Sequence, residues 1–178
     1  SEQKEFLLNE IKRTSTSIKK FYKISNFSIK KLHFSNSIKE AVKDADLIQE
    51  NTPENEHIKK KIIKNISKWA KPKAIIASSS SGLLPSRIQT VCKNPERFLI
   101  AHPFNPVYLL PLVELVRGKK TKKSYIDIAE LFYRSLGMNP LILKKEVVGY
   151  LSDRLQEAIW RESLHIINDN LPHIIDDT

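Results

Sequence analysis

His102 and Glu114, twelve positions apart, are the two residues of this chain whose types and settings could together move a proton. His102 closes an apolar run, Phe98 to Ala101, that reads as a buried strand. Pro103 and Pro106 follow it, fixing φ and removing backbone donors, and Asn105 sits between them. Glu114 is the one charge inside a second apolar run, Leu112 to Val116. A carboxylate buried there needs a partner, because an unpaired buried charge is costly, and His102 is the nearest candidate in sequence. Such a pair holds one imidazole tautomer and favours the protonated ring, which suits a general base. A structural histidine beside a strand-edge glutamate would look the same, and these residues alone leave both readings open.

The surrounding pattern supplies the elements that must position this pair. Residues 2–20 carry Leu7, Ile11 and Ile18 on one helical face. Residues 21–30 are polar and irregular, and Lys31 to Phe34 form a short strand candidate. His33 within it has no companion at metal-ligand spacing and reads as a surface residue. Ser35-Asn36-Ser37 offers an N-cap for a short helix, Ile38 to Val42. Ala45 to Glu50 reads as a strand leading to a loop at Asn51 to Glu54. Asn55 then caps a helix over about 56–70 with Ile58, Ile62, Ile63 and Ile66 on its face, and Pro72 lies past its end. A strand over 73–77 runs into Ser78-Ser79-Ser80-Ser81-Gly82, a polar turn that either admits a ligand close to the backbone or is plain loop. Leu84-Pro85-Ser86 opens a short helix, and Asn94-Pro95 turns the chain into the strand before His102. Beyond Gly118, an amphipathic helix bears Tyr125, Ile128, Ala129, Phe132 and Leu136, with Gly137 as its cap. A strand over 140–143 and a last helix from Gly149 to about Asn168 follow, and residues 171–178 complete no element. Strands alternate with helices over the first 144 residues, which predicts an α/β fold on a parallel sheet.

Bulk properties exclude several classes. The composition, 40% hydrophobic and 28% charged, is that of a soluble globular protein, and no run of about 18 apolar residues is present to span a membrane. No signal peptide is visible, and Cys92 stands alone, so an internal disulfide is ruled out and a reducing cytoplasm fits. The net charge of +10 comes from 23 Lys and 7 Arg spread along the chain. No aromatic-interleaved basic patch or metal-finger spacing accompanies that charge, so a lysine-rich surface ranks first, help with phosphate-bearing ligands second and nucleic acid last.

The thirteen residues His-Pro-Phe-Asn-Pro-Val-Tyr-Leu-Leu-Pro-Leu-Val-Glu, 102–114, resemble the catalytic segment of the L-3-hydroxyacyl-CoA dehydrogenase superfamily. The resemblance is strongest to its carnitine-oxidising branch and next to its lambda-crystallin (gulonate dehydrogenase) branch. It implies a partial Rossmann-like parallel sheet over 1–146 and the first helix of an all-helical substrate and dimerisation domain over 147–178. It implies NAD as cofactor, His102 as the base at a 3-hydroxyl, Glu114 as its partner, and Ser81, with Ser80 the neighbouring alternative, near the reacting oxygen and the nicotinamide. Asn105, Glu54 and Lys59 match cofactor-side positions, though a Glu and a Lys at a helix start are also ordinary solvated residues.

The acyl-CoA enzymes carry Gly-Phe-x-x-Asn-Arg at the start of the helical domain, where this chain has Gly149-Tyr150-Leu151-Ser152-Asp153-Arg154. Asp for Asn turns the expectation from acyl-CoA toward a cationic 3-hydroxy acid, L-carnitine, met by Asp153 and by cation–π contact from Phe104, Tyr108 and Trp160. Asp153 as a simple helix-start residue and Trp160 as core remain the alternative. A 3-hydroxyacyl-CoA dehydrogenase and a non-catalytic crystallin-like or truncated protein are the rival functions. The four glycines, Gly82, Gly118, Gly137 and Gly149, do not form the Gly-x-Gly-x-x-Gly turn that receives a dinucleotide pyrophosphate. The family carries that turn upstream of the matched segment, so the chain is expected to be an internal piece of a cytoplasmic homodimeric enzyme, with one sheet edge unpaired.

Overall fold

The computed structural model describes residues 2–23 and 28–169. It contains α1 (Glu2–Tyr22), α2 (Ile38–Val42), β1 (Leu47–Glu50), α3 (Glu56–Trp69), β2 (Ile75–Ser78), α4 (Pro85–Ile88), β3 (Phe98–Pro103), β4 (Leu112–Arg117), α5 (Lys123–Ser135), β5 (Asn139–Leu143) and α6 (Ser152–Asn168). The strands make one sheet in the order β1-β2-β3-β4-β5. The α/β architecture expected from the alternation, and the Rossmann-like sheet implied by the resemblance, are present with one departure. β1, β2 and β3 are mutually parallel and β4 and β5 are parallel, but β3 and β4 are antiparallel. A parallel step needs a crossover of a dozen or more residues. Only residues 104–111 join β3 to β4, so the chain folds straight back.

Side chains alternate across the sheet and divide the core in two. Ile75, Ala77, Leu99, Ala101, Val113 and Leu115 pack against Ile126, Ala129 and Tyr133 of α5. On the other face Ile76, Phe98, Ile100 and Val116 meet Ile63 and Ile66 of α3, Val42, Ile88 and Tyr150. Local signals behave as their chemistry predicts. Asn55 Oδ1 accepts from the Ile58 amide at 3.1 Å and Ser37 Oγ from the Glu40 amide at 3.3 Å, each satisfying a donor of the first helical turn. Gly137 takes φ +80° just past α5, where a side chain would be strained.

Two sequence expectations are corrected. Residues 31–34 are not a strand: Ile29–Lys31 is a 3-10 turn opened by Ser28, whose hydroxyl accepts from the Lys30 amide, and the following residues pair with no strand. Local apolar character at Leu32 and Phe34 is insufficient where no neighbouring strand offers partners. The last helix begins at Ser152 rather than Gly149, because Gly149 and Tyr150 both adopt positive φ, +71° and +46°. The expectation for residues 171–178 lies outside the described residues.

Candidate active site

Strand periodicity and the β3/β4 turn-back together assemble the central pair. Phe98, Ile100 and His102 share a face of β3, and Glu114 and Val116 share that face of β4. The antiparallel register sets His102 directly opposite Glu114. A slip of one residue would send either side chain to the opposite face. His102 Nδ1 lies 3.0 Å from Glu114 Oε2. Glu114 has no exposed surface and His102 keeps 8% of its own.

Glu114 is held by four donors. Its Oε1 accepts from the amides of Leu151 and Ser152 at 3.0 and 3.1 Å, and its Oε2 accepts from Ser152 Oγ at 2.6 Å besides meeting the imidazole. Burial pushes its pKa up, but the bonds from His102, from the Ser152 hydroxyl and from the two amides outweigh burial and leave it below the ordinary glutamate value. An ionised Glu114 fixes the tautomer of His102 with hydrogen on Nδ1, leaving Nε2 as the basic nitrogen. The rings of Phe104 and Tyr150 flank the imidazole at centroid distances of 5.5 and 5.7 Å.

His102 opens onto a cleft of about 880 Å³ between the sheet and α6. Ser81, Phe104 and Asn105 line it on the sheet side, and Asp153, Glu157 and Trp160 of α6 line it opposite. Asp153 is half-buried there. Burial raises its pKa, the His102 charge lowers it, and Glu114 and Glu54 raise it, with a net upward shift.

The serine turn is fastened by Glu54. Its Oε1 accepts from Ser80 Oγ at 2.5 Å and from the amides of Ser81 and Gly82 at 3.1 and 3.2 Å. Ser80 points inward and is fully buried, whereas Ser81 reaches the cleft. Beneath the turn a second charge cluster joins β1, β2 and α3. Lys59 Nζ lies 3.2 and 3.3 Å from the two Glu50 oxygens, 2.8 Å from the Thr52 carbonyl and 3.7 Å from Glu54 Oε2. Ser78 Oγ donates to Glu50 Oε2 at 2.5 Å, and the hydroxyl of Thr52 also donates to Glu50.

Of the residues singled out in the sequence, the cleft therefore gathers His102, Ser81, Phe104, Asn105, Asp153 and Trp160, with Glu114 directly behind His102. Ser80, Glu54 and Lys59 form the layer underneath, and Tyr108 is not part of the cleft wall. Tyr108 lies in the turn between β3 and β4, where spacing along a non-periodic segment gives no direction for a side chain. Sequence reasoning missed Glu50, Ser78 and Ser152. Glu50 ends an apolar strand just as Glu114 interrupts one, and that signal was available. Nothing local distinguishes Ser152. Its partner lies 38 residues away in the sequence.

Residues 2–147 match the family described as 3-hydroxyacyl-CoA dehydrogenase, NAD binding domain, and the chain belongs to that family. Among curated proteins, it is 54% identical over 141 residues to an L-carnitine dehydrogenase of Bacillus cereus, covering 79% of this chain and 43% of that protein. It is 48% identical over 167 residues to an L-carnitine dehydrogenase of Staphylococcus epidermidis, covering 94% of this chain and 52% of that protein. The chain thus spans about half the length of the curated relatives it matches. Among solved structures it superimposes with a TM-score of 0.84 and 28% identity on 5-formyl-3-hydroxy-2-methylpyridine 4-carboxylic acid 5-dehydrogenase, an NAD+ dependent dismutase, over 96% of this chain and 54% of that one. Among the described residues, no helix is long and apolar enough to cross a membrane.

Proposed function

We propose that this chain carries the acid–base half of an NAD-dependent dehydrogenase acting on the 3-hydroxyl of a small 3-hydroxy acid, with L-carnitine the substrate and 3-dehydrocarnitine the product. The observation that carries the reading is the buried His102–Glu114 pair, 3.0 Å apart, opening on a cleft whose far wall bears Asp153 and Trp160. The L-carnitine dehydrogenase relatives, about half identical over most of the chain, support the substrate.

The residues present fit the reacting end of NAD. In a parallel α/β sheet, ligands sit outside the carboxyl ends of the strands, where Ser81 and Asn105 supply hydrogen-bonding groups on the cleft wall. The amides of Ser81 and Gly82 are already received by Glu54, so this turn holds no pyrophosphate. The chemistry that bound NAD would supply is acceptance of a hydride from the carbinol carbon. His102 takes the hydroxyl proton on Nε2, and Glu114 stabilises the resulting imidazolium through Nδ1. In the reverse direction His102 returns that proton to the 3-keto oxygen. Asp153 faces the trimethylammonium group, with Phe104 and Trp160 offering ring faces to the same cation. We place the boundary of the helical substrate domain at 146–147, and take the whole protein as a cytoplasmic homodimer without nucleic-acid or membrane partners.

The test is an NAD-reduction assay of the protein at its full natural length against L-carnitine, 3-hydroxybutyryl-CoA and gulonate side by side. Turnover of carnitine well above the other two is expected. Preference for the acyl-CoA would overturn the substrate assignment, and inactivity on all three would overturn the dehydrogenase reading.

A further inference from the structure

We infer that Ser152 is a positioning residue for the His102–Glu114 pair, its hydroxyl sharing the carboxylate oxygen that meets the imidazole and so setting the orientation and basicity of His102. The inference rests on the dehydrogenase reading for its kinetic consequence, though not for its structural one.

Ser152 is the first residue of α6, and three of the four donors to Glu114 come from it and its neighbour: two amides on Oε1 and the Ser152 hydroxyl at 2.6 Å on Oε2. The amides would be supplied by any residue type except proline in this backbone. The hydroxyl is specific to serine or threonine. It donates to the oxygen that His102 Nδ1 also meets, so the two donors divide one acceptor. Charge drawn by the hydroxyl is charge the imidazolium does not receive. Removing the hydroxyl would leave that oxygen to His102 Nδ1 alone, so the two donors compete directly for one acceptor.

The approach to Ser152 is itself fixed. Glu146 Oε2 accepts from the Ser86 amide at 2.9 Å, and Tyr150 Oη donates to the Leu83 carbonyl at 2.7 Å. The segment between β5 and α6 is thus pinned to the loop and helix after the serine turn. The other ionisable groups around the pair are Asp153 on α6, Tyr150 before it and Glu54 before α3. Tyr150 already gives its hydroxyl proton to the Leu83 carbonyl, and Asp153 and Glu54 are carboxylates that accept when ionised, so none of the three stands in for the Ser152 hydroxyl at Glu114.

The experiment compares wild type, Ser152→Ala and Ser152→Thr in the full-length protein by two readouts. The first is the His102 titration midpoint from the imidazole NMR signal, assigned by its absence in His102→Gln. The second is the acid limb of kcat/KM for L-carnitine oxidation. Ser152→Ala should raise the NMR midpoint by about half a pH unit and move the acid limb upward with it, while lowering kcat several-fold. Ser152→Thr should restore both. An unchanged midpoint in a folded Ser152→Ala protein would overturn the inference, as would a midpoint that Ser152→Thr fails to bring back. If wild type turns over no 3-hydroxy acid, the dehydrogenase reading fails, and the NMR midpoint still decides the role of Ser152.

Discussion

At the scale of single residues, a buried carboxylate does two things at once. Glu114 has no contact with solvent and yet stays ionised, because four donors converge on it. It therefore engages one imidazole nitrogen, Nδ1, and leaves Nε2 outside the carboxylate's reach. Replacing His102 by Gln should lower kcat for oxidation by about 10²–10⁴-fold, the usual worth of a positioned base, with little change in fold by circular dichroism. Asp153 is the contrary case. Its pKa is raised, first by burial, so its charge is held at a cost to folding near neutral pH. An Asp153→Asn variant is expected to melt at the same temperature as wild type or higher, yet to lose about tenfold or more in kcat/KM for carnitine. Equal loss of stability and turnover would instead mark Asp153 as a helix-start residue.

At the scale of elements, the site depends on how the carboxyl ends of β1 and β2 are tied to the start of α3. Glu50 and Lys59 are both almost wholly buried, and with Ser78, Thr52 and Glu54 they form a continuous polar layer under the serine turn. Lys59 lies on the same helical face as Ile63 and Ile66, so its charge is carried inward by helical periodicity. Lys59→Met should strand Glu50 as an uncompensated buried charge and cost about 3–5 kcal/mol in urea unfolding. Adding Glu50→Gln should recover a good part of that loss. If the single and double variants are equally unstable, the pair is not coupled.

At the scale of the whole molecule, the three parallel strands β1, β2 and β3 bring Glu50, the serine turn and His102 to one edge, and the return of β4 delivers Glu114. Stability should therefore carry the signature of the site. The folded pKa of Glu114 lies below its unfolded value, so ionisation favours the native state above the ordinary carboxylate range. That contribution is lost as pH falls through the depressed folded value. Urea midpoints of wild type should fall on acidification across this window, and those of Glu114→Gln should fall less steeply. Parallel curves would show that other carboxylates dominate the acid transition.

How much of this was legible beforehand follows from the range of each interaction. Local chemistry announced itself: the caps at Asn55 and Ser37, the glycine after α5 and the apolar periods of α3 and α5 are all decided within a few residues of the chain. The thirteen-residue segment likewise fixed the His102–Glu114 spacing, because a short connection between two strands leaves little freedom in what faces what. The sequence by itself thus determined the family, the alternation of strands and helices from β1 onward and the spacing of His102 and Glu114. Only the tertiary structure decided the antiparallel return of β4, the separation of Ser81 at the cleft from Ser80 beneath it, the exclusion of Tyr108 and the hold of Ser152 on Glu114. Those features rest on groups brought together from distant parts of the chain or on loop backbone without periodicity, and neither leaves a local pattern to read.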